Sequence, residues 1–207
     1  MTKVTGGYES MLSGKLGKVV YVQLYGKTYI RSAPRRKKNS WSPRQLLVRK
    51  RFGEINNFCG QFKYSVIPQI WNGVAEKMSG YALFLKSNMP AFAPDGSLLD
   101  PKLVSLSTGK LTLPLGLEAR RSEAQPNIVK VSWPKDLHTG GIHLKDELMA
   151  ISAADGQYSD ILITGILRGS LGESFELPGL PTPATHIYLF FGSRDRRNYS
   201  QSVCFEI

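Results

Sequence analysis

The sequence predicts an α+β fold, in which a basic N-terminal β-hairpin plus helices precede an immunoglobulin/fibronectin-like antiparallel β-sandwich. Three observations predict it. A β-branched and aromatic run near the start is interrupted by a glycine turn, a capped segment of helical apolar period follows, and short apolar strands with Gly, Pro and Asp punctuation fill the second half.

Residues 15–33 read as the hairpin. Val19, Val20, Tyr21 and Val22 favour a pleated strand, Gly26-Lys27 supplies the turn, and Thr28-Tyr29-Ile30-Arg31 returns. Pro34 and the four consecutive cations Arg35, Arg36, Lys37 and Lys38 argue for an extended connector, because like charges repel and a proline disfavours helix before it. Ser42-Pro43 then starts a helix: Ser as N-cap, and Pro at the first position, where its missing N–H costs nothing. Val48, Phe52, Ile55 and Cys59 follow the spacing of a buried stripe, with Arg44, Lys50 and Arg51 off it and Gly60 as the stop. A second helical stretch runs from about Val66 to Met89, with Ser79-Gly80 placed to kink or split it.

Pro90, Pro94, Asp95-Gly96 and Pro101 mark a boundary. The expected organisation is therefore a basic hairpin and helical region over 1–90, a linker over 91–101 and a β-sandwich domain over 102–207. Expected strands lie at 102–106, 109–113, 127–133, 147–153, 160–167, 174–177, 185–191 and 202–207, and Trp133 is placed to anchor the sandwich core.

The net charge of +11 is unevenly spread. Up to residue 63 there are 14 Lys/Arg against Glu9 and Glu54, a balance of +12; the remainder carries 13 Lys/Arg against 14 Asp/Glu, a balance of −1. A positive field concentrated in one third of the chain favours a polyanion or an acidic protein surface. The candidate contacts are Lys18, Lys27, Arg31, Arg35, Arg36, Lys37, Lys38, Arg44, Lys50 and Arg51, with Tyr21, Tyr25 and Tyr29 as stacking rings. Arg194, Arg196 and Arg197, between the last two strands, are candidate loop contacts. Loops 136–146 and 193–199 would carry recognition.

Chemistry is sparse. His138 and His143 lie in a Gly-rich loop without a nearby cysteine or paired carboxylate, a weak metal motif. Ser13-Gly14-Lys15-Leu16-Gly17-Lys18 leads into a strand, where a phosphate loop needs a helix N-terminus. No GxSxG elbow is present, and Asp136, Asp146, Glu147, Asp155 and Asp160 read as solvated turn residues. The expectation is a chain with no enzymatic activity, no cofactor, no metal site and no small-molecule substrate. Cys59 and Cys204, far apart in apolar surroundings, read as reduced buried thiols. The absence of an apolar run of about 18 residues, and of an apolar leader, predicts a protein without a signal peptide or membrane partner, cytoplasmic or assembled into a particle.

The run from Ser13 to Val20, followed by Gly26-Lys27-Thr28-Tyr29-Ile30-Arg31-Ser32-Ala33-Pro34, resembles the opening of an uncharacterised family common in Bacteroidota genomes and phage-like contexts. Ser42-Pro43-Arg44-Gln45, Arg49 and Phe52 extend the resemblance through the first helix, and Trp71, Tyr81, Phe84 and Asn88 are similar to its helical segment. The resemblance implies no activity and no site residues; similar basic openings near phage structural genes imply a particle-associated role. Two functions are therefore expected in order: a structural or interaction protein that binds a protein partner or self-assembles, then a nucleic-acid-binding protein that uses the basic third.

Overall fold

The structure, a computed structural model, describes residues 12–34, 41–135, 143–177, 179–180 and 182–207, and residues 2–4 as backbone. The expected extended connector, with Arg35, Arg36, Lys37 and Lys38, lies outside the described residues, as does the 136–142 part of the expected recognition loop. The fold is α+β, with helices and three antiparallel sheets. The chain divides into two compact units, Met1–Ser42 and Pro43–Ile207. Residues 91–101, expected as a linker, fall inside the second unit.

Unit 1 is one antiparallel sheet in the order β1 (Thr2–Val4), β4 (Lys27–Ser32), β3 (Val19–Leu24), β2 (Gly14–Leu16). Leu24 pairs with Lys27, so the connection is Tyr25-Gly26, one residue earlier than the sequence suggested. Both residues have positive φ, 50° and 69°, the backbone of a two-residue turn whose twist matches that of its strands.

Unit 2 opens with α1 (Pro43–Gly60). The helical stretch expected over 66–89, with a kink or split at Ser79-Gly80, forms as several pieces. A π-helical turn, Ile67–Trp71, runs into α2 (Asn72–Val74); Ala75 is extended, and α3 spans Gly80–Asn88. Pro68 supplies no N–H, and the Ile67 N–H donates five residues back to the Phe62 carbonyl at 3.1 Å, which sets the wider turn. Ser79 caps α3, its Oγ accepting from Ala82 N at 3.2 Å, so the split falls where the sequence placed it. Gly80 is required there: a Cβ would lie 2.2 Å from Asn72 Oδ1 and 2.8 Å from the Trp71 carbonyl carbon.

Two sheets follow. One runs β10 (Gly172–Glu176), β6 (Ile128–Ser132), β5 (Glu118–Arg121). The other runs β12 (Val203–Glu206), β11 (His186–Gly192), β7 (Glu147–Ala154), β8 (Gln157–Tyr158), with β9 (Leu162–Leu167) also on β7. Alternation along β7 and β11 divides the core. Leu148, Ala150, Ile187, Leu189 and Phe191 pack against Val129 and Val131 of the three-stranded sheet and Trp133 just beyond β6. Met149, Ile151, Ala153, Tyr188 and Phe190 pack instead against Phe58, Phe62, Trp71 and Phe84 of the helical layer. The central sheet is thus buried on both faces, which binds helices and strands into one unit.

The strands expected at 102–106 and 109–113 do not form. Side chains hold the backbone at 105–107: Asn88 brackets Ser105 (2.8 and 3.0 Å), Leu106 N donates to Ser202 Oγ (2.9 Å), and Ser107 Oγ donates to the Ser200 carbonyl (2.7 Å). The 109–113 segment makes one isolated bridge, Leu111 to Ser200, with Leu111 N donating to the Tyr199 carbonyl at 3.0 Å. With those groups satisfied, no ladder is needed.

Both cysteines are free, Cys59 buried and Cys204 half-buried. Burial pushes the Cys59 thiol up from 9.0 to about 12, Cys204 up to about 11 and the Tyr158 hydroxyl from 10.0 to about 12. The folded chain holds these protons more tightly than the unfolded one. Their contribution is therefore complete below about pH 9 and is lost as pH rises towards 12. Urea midpoints should be flat between about pH 7 and 9 and fall steadily above that window; a flat midpoint to about pH 11 would contradict the burial of these groups.

Candidate interaction surfaces

α1 carries the first surface. Ile55, Phe58 and Cys59 are buried, but residues 43–50 are exposed throughout. Val48 and Phe52, expected on the buried stripe, are 62% and 50% exposed, and Leu46 and Leu47 are 53% and 49% exposed. The stripe continues past the end of the body it should pack on, so periodicity alone could not locate where burial stops. Arg44 and Lys50 are exposed on this overhang. Arg51 is not a free contact: its guanidinium donates to the Met89 carbonyl at 2.8 Å and the Phe92 carbonyl at 2.7 Å, tying α1 to the chain beyond α3.

The second surface is in unit 1, where register decides which cations share a face. Cross-strand partners point the same way. Lys15, Val20 and Arg31 form one row, Val22 and Tyr29 the next, and Leu24 and Lys27 the third. The opposite face holds Leu16, Val19, Tyr21, Gln23, Thr28, Ile30 and Ser32, with no charge among the described side chains. Lys15, Lys27 and Arg31 are exposed, and Lys18 sits in the exposed turn between β2 and β3. Tyr21, Tyr25 and Tyr29 do not form one stacking platform: Tyr21 and Tyr29 lie on opposite faces, and Tyr25 is at the turn, 74% exposed. Within unit 1, Thr28 is the sole buried side chain among the described residues.

The third region lies at 193–198. Arg194 and Arg197 are exposed. Arg196 is committed internally, contrary to its expected role as a loop contact: it pairs with Glu147 at 2.6 Å, and Glu147 Oε1 also accepts from Gly165 N at 3.1 Å. Ser193 Oγ donates to Asp195 at 2.6 Å and accepts from Asn198 N at 3.0 Å, so the loop closes on itself. Hydrogen bonds from the Ser193 side chain and the Arg197 backbone hold the Asp195 carboxyl below the usual carboxylate range.

Beside this loop lies a cavity of about 470 Å³, with His143, Lys145, Asp146 and Ser193 on its wall. Asp146 is buried rather than solvated, correcting its reading as a turn carboxylate. It lies 3.1 Å from His143 Nδ1 and 3.8 Å from the buried Arg168 guanidinium. The Arg168 guanidinium also donates to the Thr112 carbonyl and stacks 4.8 Å from the Phe191 ring. Its backbone carbonyl accepts from Trp133 Nε1 at 2.9 Å. Asp146 is therefore an anchor between the 3₁₀ turn His143–Lys145 and the core, and the Ser193 hydroxyl is spent within its own loop. His138, the other half of the weak histidine pair, lies outside the described residues. Among the described residues no three His, Cys, Asp or Glu side chains gather as metal ligands, and no helix is long and apolar enough to cross a membrane. No protein-family profile, no curated protein and no solved structure matches the chain.

Proposed function

We propose that the chain is a non-enzymatic structural and interaction protein that assembles with copies of itself, a component of a phage-like particle or similar assembly. The observation that supports this reading most is the overhang of α1. Four large apolar side chains, Leu46, Leu47, Val48 and Phe52, stand about half or more exposed on helical backbone. At 100° per residue, Leu46 and Val48 point about 160° apart, so one flat surface cannot cover both. Enclosure by neighbouring copies can, and covering each side chain is worth on the order of 1 kcal/mol. The 14 Asp/Glu beyond residue 63 give a neighbouring copy carboxylates to set against Arg44 and Lys50. The immunoglobulin- or fibronectin-like description of the paired sheets belongs to this proposal, as does the particle-associated role implied by the family resemblance. The shared core at Trp133 and Phe191, rings 5.4 Å apart and edge-on, supports the former.

The test is the mass of the intact chain in solution by light scattering, compared with a Leu47→Glu/Val48→Glu variant. A discrete oligomer is expected, falling to monomer in the variant with stability changed by no more than about 0.5 kcal/mol, since exposed substitutions touch little of the core. A wild-type monomer across micromolar concentrations would refute self-assembly.

A second reading, nucleic-acid binding, is favoured by unit 1. Its 42 residues carry nine Lys/Arg and one acid, Glu9.

A further inference from the structure

We infer that the face of the unit 1 sheet bearing Lys15, Lys27, Tyr29 and Arg31 is a binding surface for single-stranded nucleic acid. The inference rests on the second reading and assigns it to a surface.

In β4, Lys27, Tyr29 and Arg31 alternate with Thr28, Ile30 and Ser32. Successive residues of a strand point to opposite faces, so a cation, a ring and a cation line one face at steps of about 7 Å. Lys15 joins them from β2 through the row Lys15–Val20–Arg31, two strand spacings or about 10 Å from β4. Val22 lies directly across from Tyr29, and Val20 and Leu24 flank that row. A base can rest on the phenol ring and its aliphatic neighbours while flanking phosphates meet Arg31, Lys27 and Lys15. Among the described residues no ion pair engages these three cations. The opposite face, without a charge among its described side chains, offers a polyanion nothing.

Single strands fit better than duplex. A duplex stacks its bases on one another and exposes no base face for Tyr29 to stack on, whereas an unpaired strand exposes a π-face to the ring. An acidic protein surface would use the cations but not the ring. Tyr29 therefore discriminates among the three.

The experiment uses the full chain and fluorescence anisotropy with a labelled oligothymidylate of about twenty nucleotides. A duplex of equal length is titrated in parallel, and both are followed across a salt series through about 150 mM. Four variants are compared: Lys15→Gln/Lys27→Gln/Arg31→Gln, Tyr29→Ser, Tyr29→Trp, and a control removing three exposed cations elsewhere, Lys86→Gln/Lys110→Gln/Lys130→Gln. The expected results are tighter binding to the single strand, a loss of about tenfold or more in the face variant, and a change within about threefold in the control. Tyr29→Ser should lose about tenfold on the single strand only, and Tyr29→Trp should restore it, which separates stacking from damage to the sheet. Equal losses in face and control variants would overturn the inference in favour of diffuse charge. Binding that ignores Tyr29, or no binding near 150 mM salt, would overturn it as well. Self-assembly is read independently by mass and survives either result.

Discussion

Replacing Trp71 by alanine is expected to cost about 3–5 kcal/mol, a large part of the total stability of a domain of this size. Trp71 is 1% exposed and stands edge-on to Phe84 with ring centroids 5.1 Å apart. Its Nε1 donates to the Leu106 carbonyl at 2.9 Å, so truncation opens a cavity and strands a buried acceptor in the segment that leads to the sheets. Because Trp71 belongs to the same core as Ile151, Tyr188 and Phe190, the helices and the five-stranded sheet should lose structure together. Urea unfolding of the variant, followed in parallel by far-ultraviolet circular dichroism and by tryptophan fluorescence, should give coincident transitions at a lowered midpoint. Loss of helical signal while the environment of Trp133 stays native would show instead that the helical layer is a separate unit.

The second large effect is expected at the buried ion pair. Asp146→Ala removes the carboxylate that lies 3.8 Å from the Arg168 guanidinium, itself 4% exposed, and removal of one partner from a buried pair costs about 3–5 kcal/mol. Arg168→Met should cost a similar amount, since it also removes the donor to Thr112 and the cation over Phe191. The double variant Asp146→Leu/Arg168→Met should lose less than the sum of the two singles, because no uncompensated charge remains inside. A thermal or urea double-mutant cycle measures this directly. Additivity within about 0.5 kcal/mol would mean that the two residues act separately and that the 3.8 Å approach carries no coupling. The result bears on function because this pair holds the His143–Lys145 turn against the core beside the cavity at 193–198.

Much was legible locally. The division of charge at residue 63 is a property of composition, and the exposed Lys27 and Arg31 follow from it. α1 begins at Pro43, where the sequence placed it, and Ser79 caps α3, because a cap acts through backbone groups a few residues away. Val129, Val131 and Trp133, and the apolar runs at β7 and β11, announce core strands by their own side chains. β5 was missed because Glu-Ala-Arg-Arg has no apolar alternation; it exists by pairing with β6.

The sequence by itself determined which segments bear charge, where helices start and which strands are apolar. Tertiary structure alone decided that the helices share a core with the central sheet, that the α1 stripe runs past its support at Phe52, and that Asp146 is buried beside Arg168. It also decided that Tyr21 and Tyr29 lie on opposite faces while Lys15, Lys27 and Arg31 share one. The physical reason is range: caps, turns and periodicity act over a few residues, whereas strand register and burial depend on partners distant in the chain.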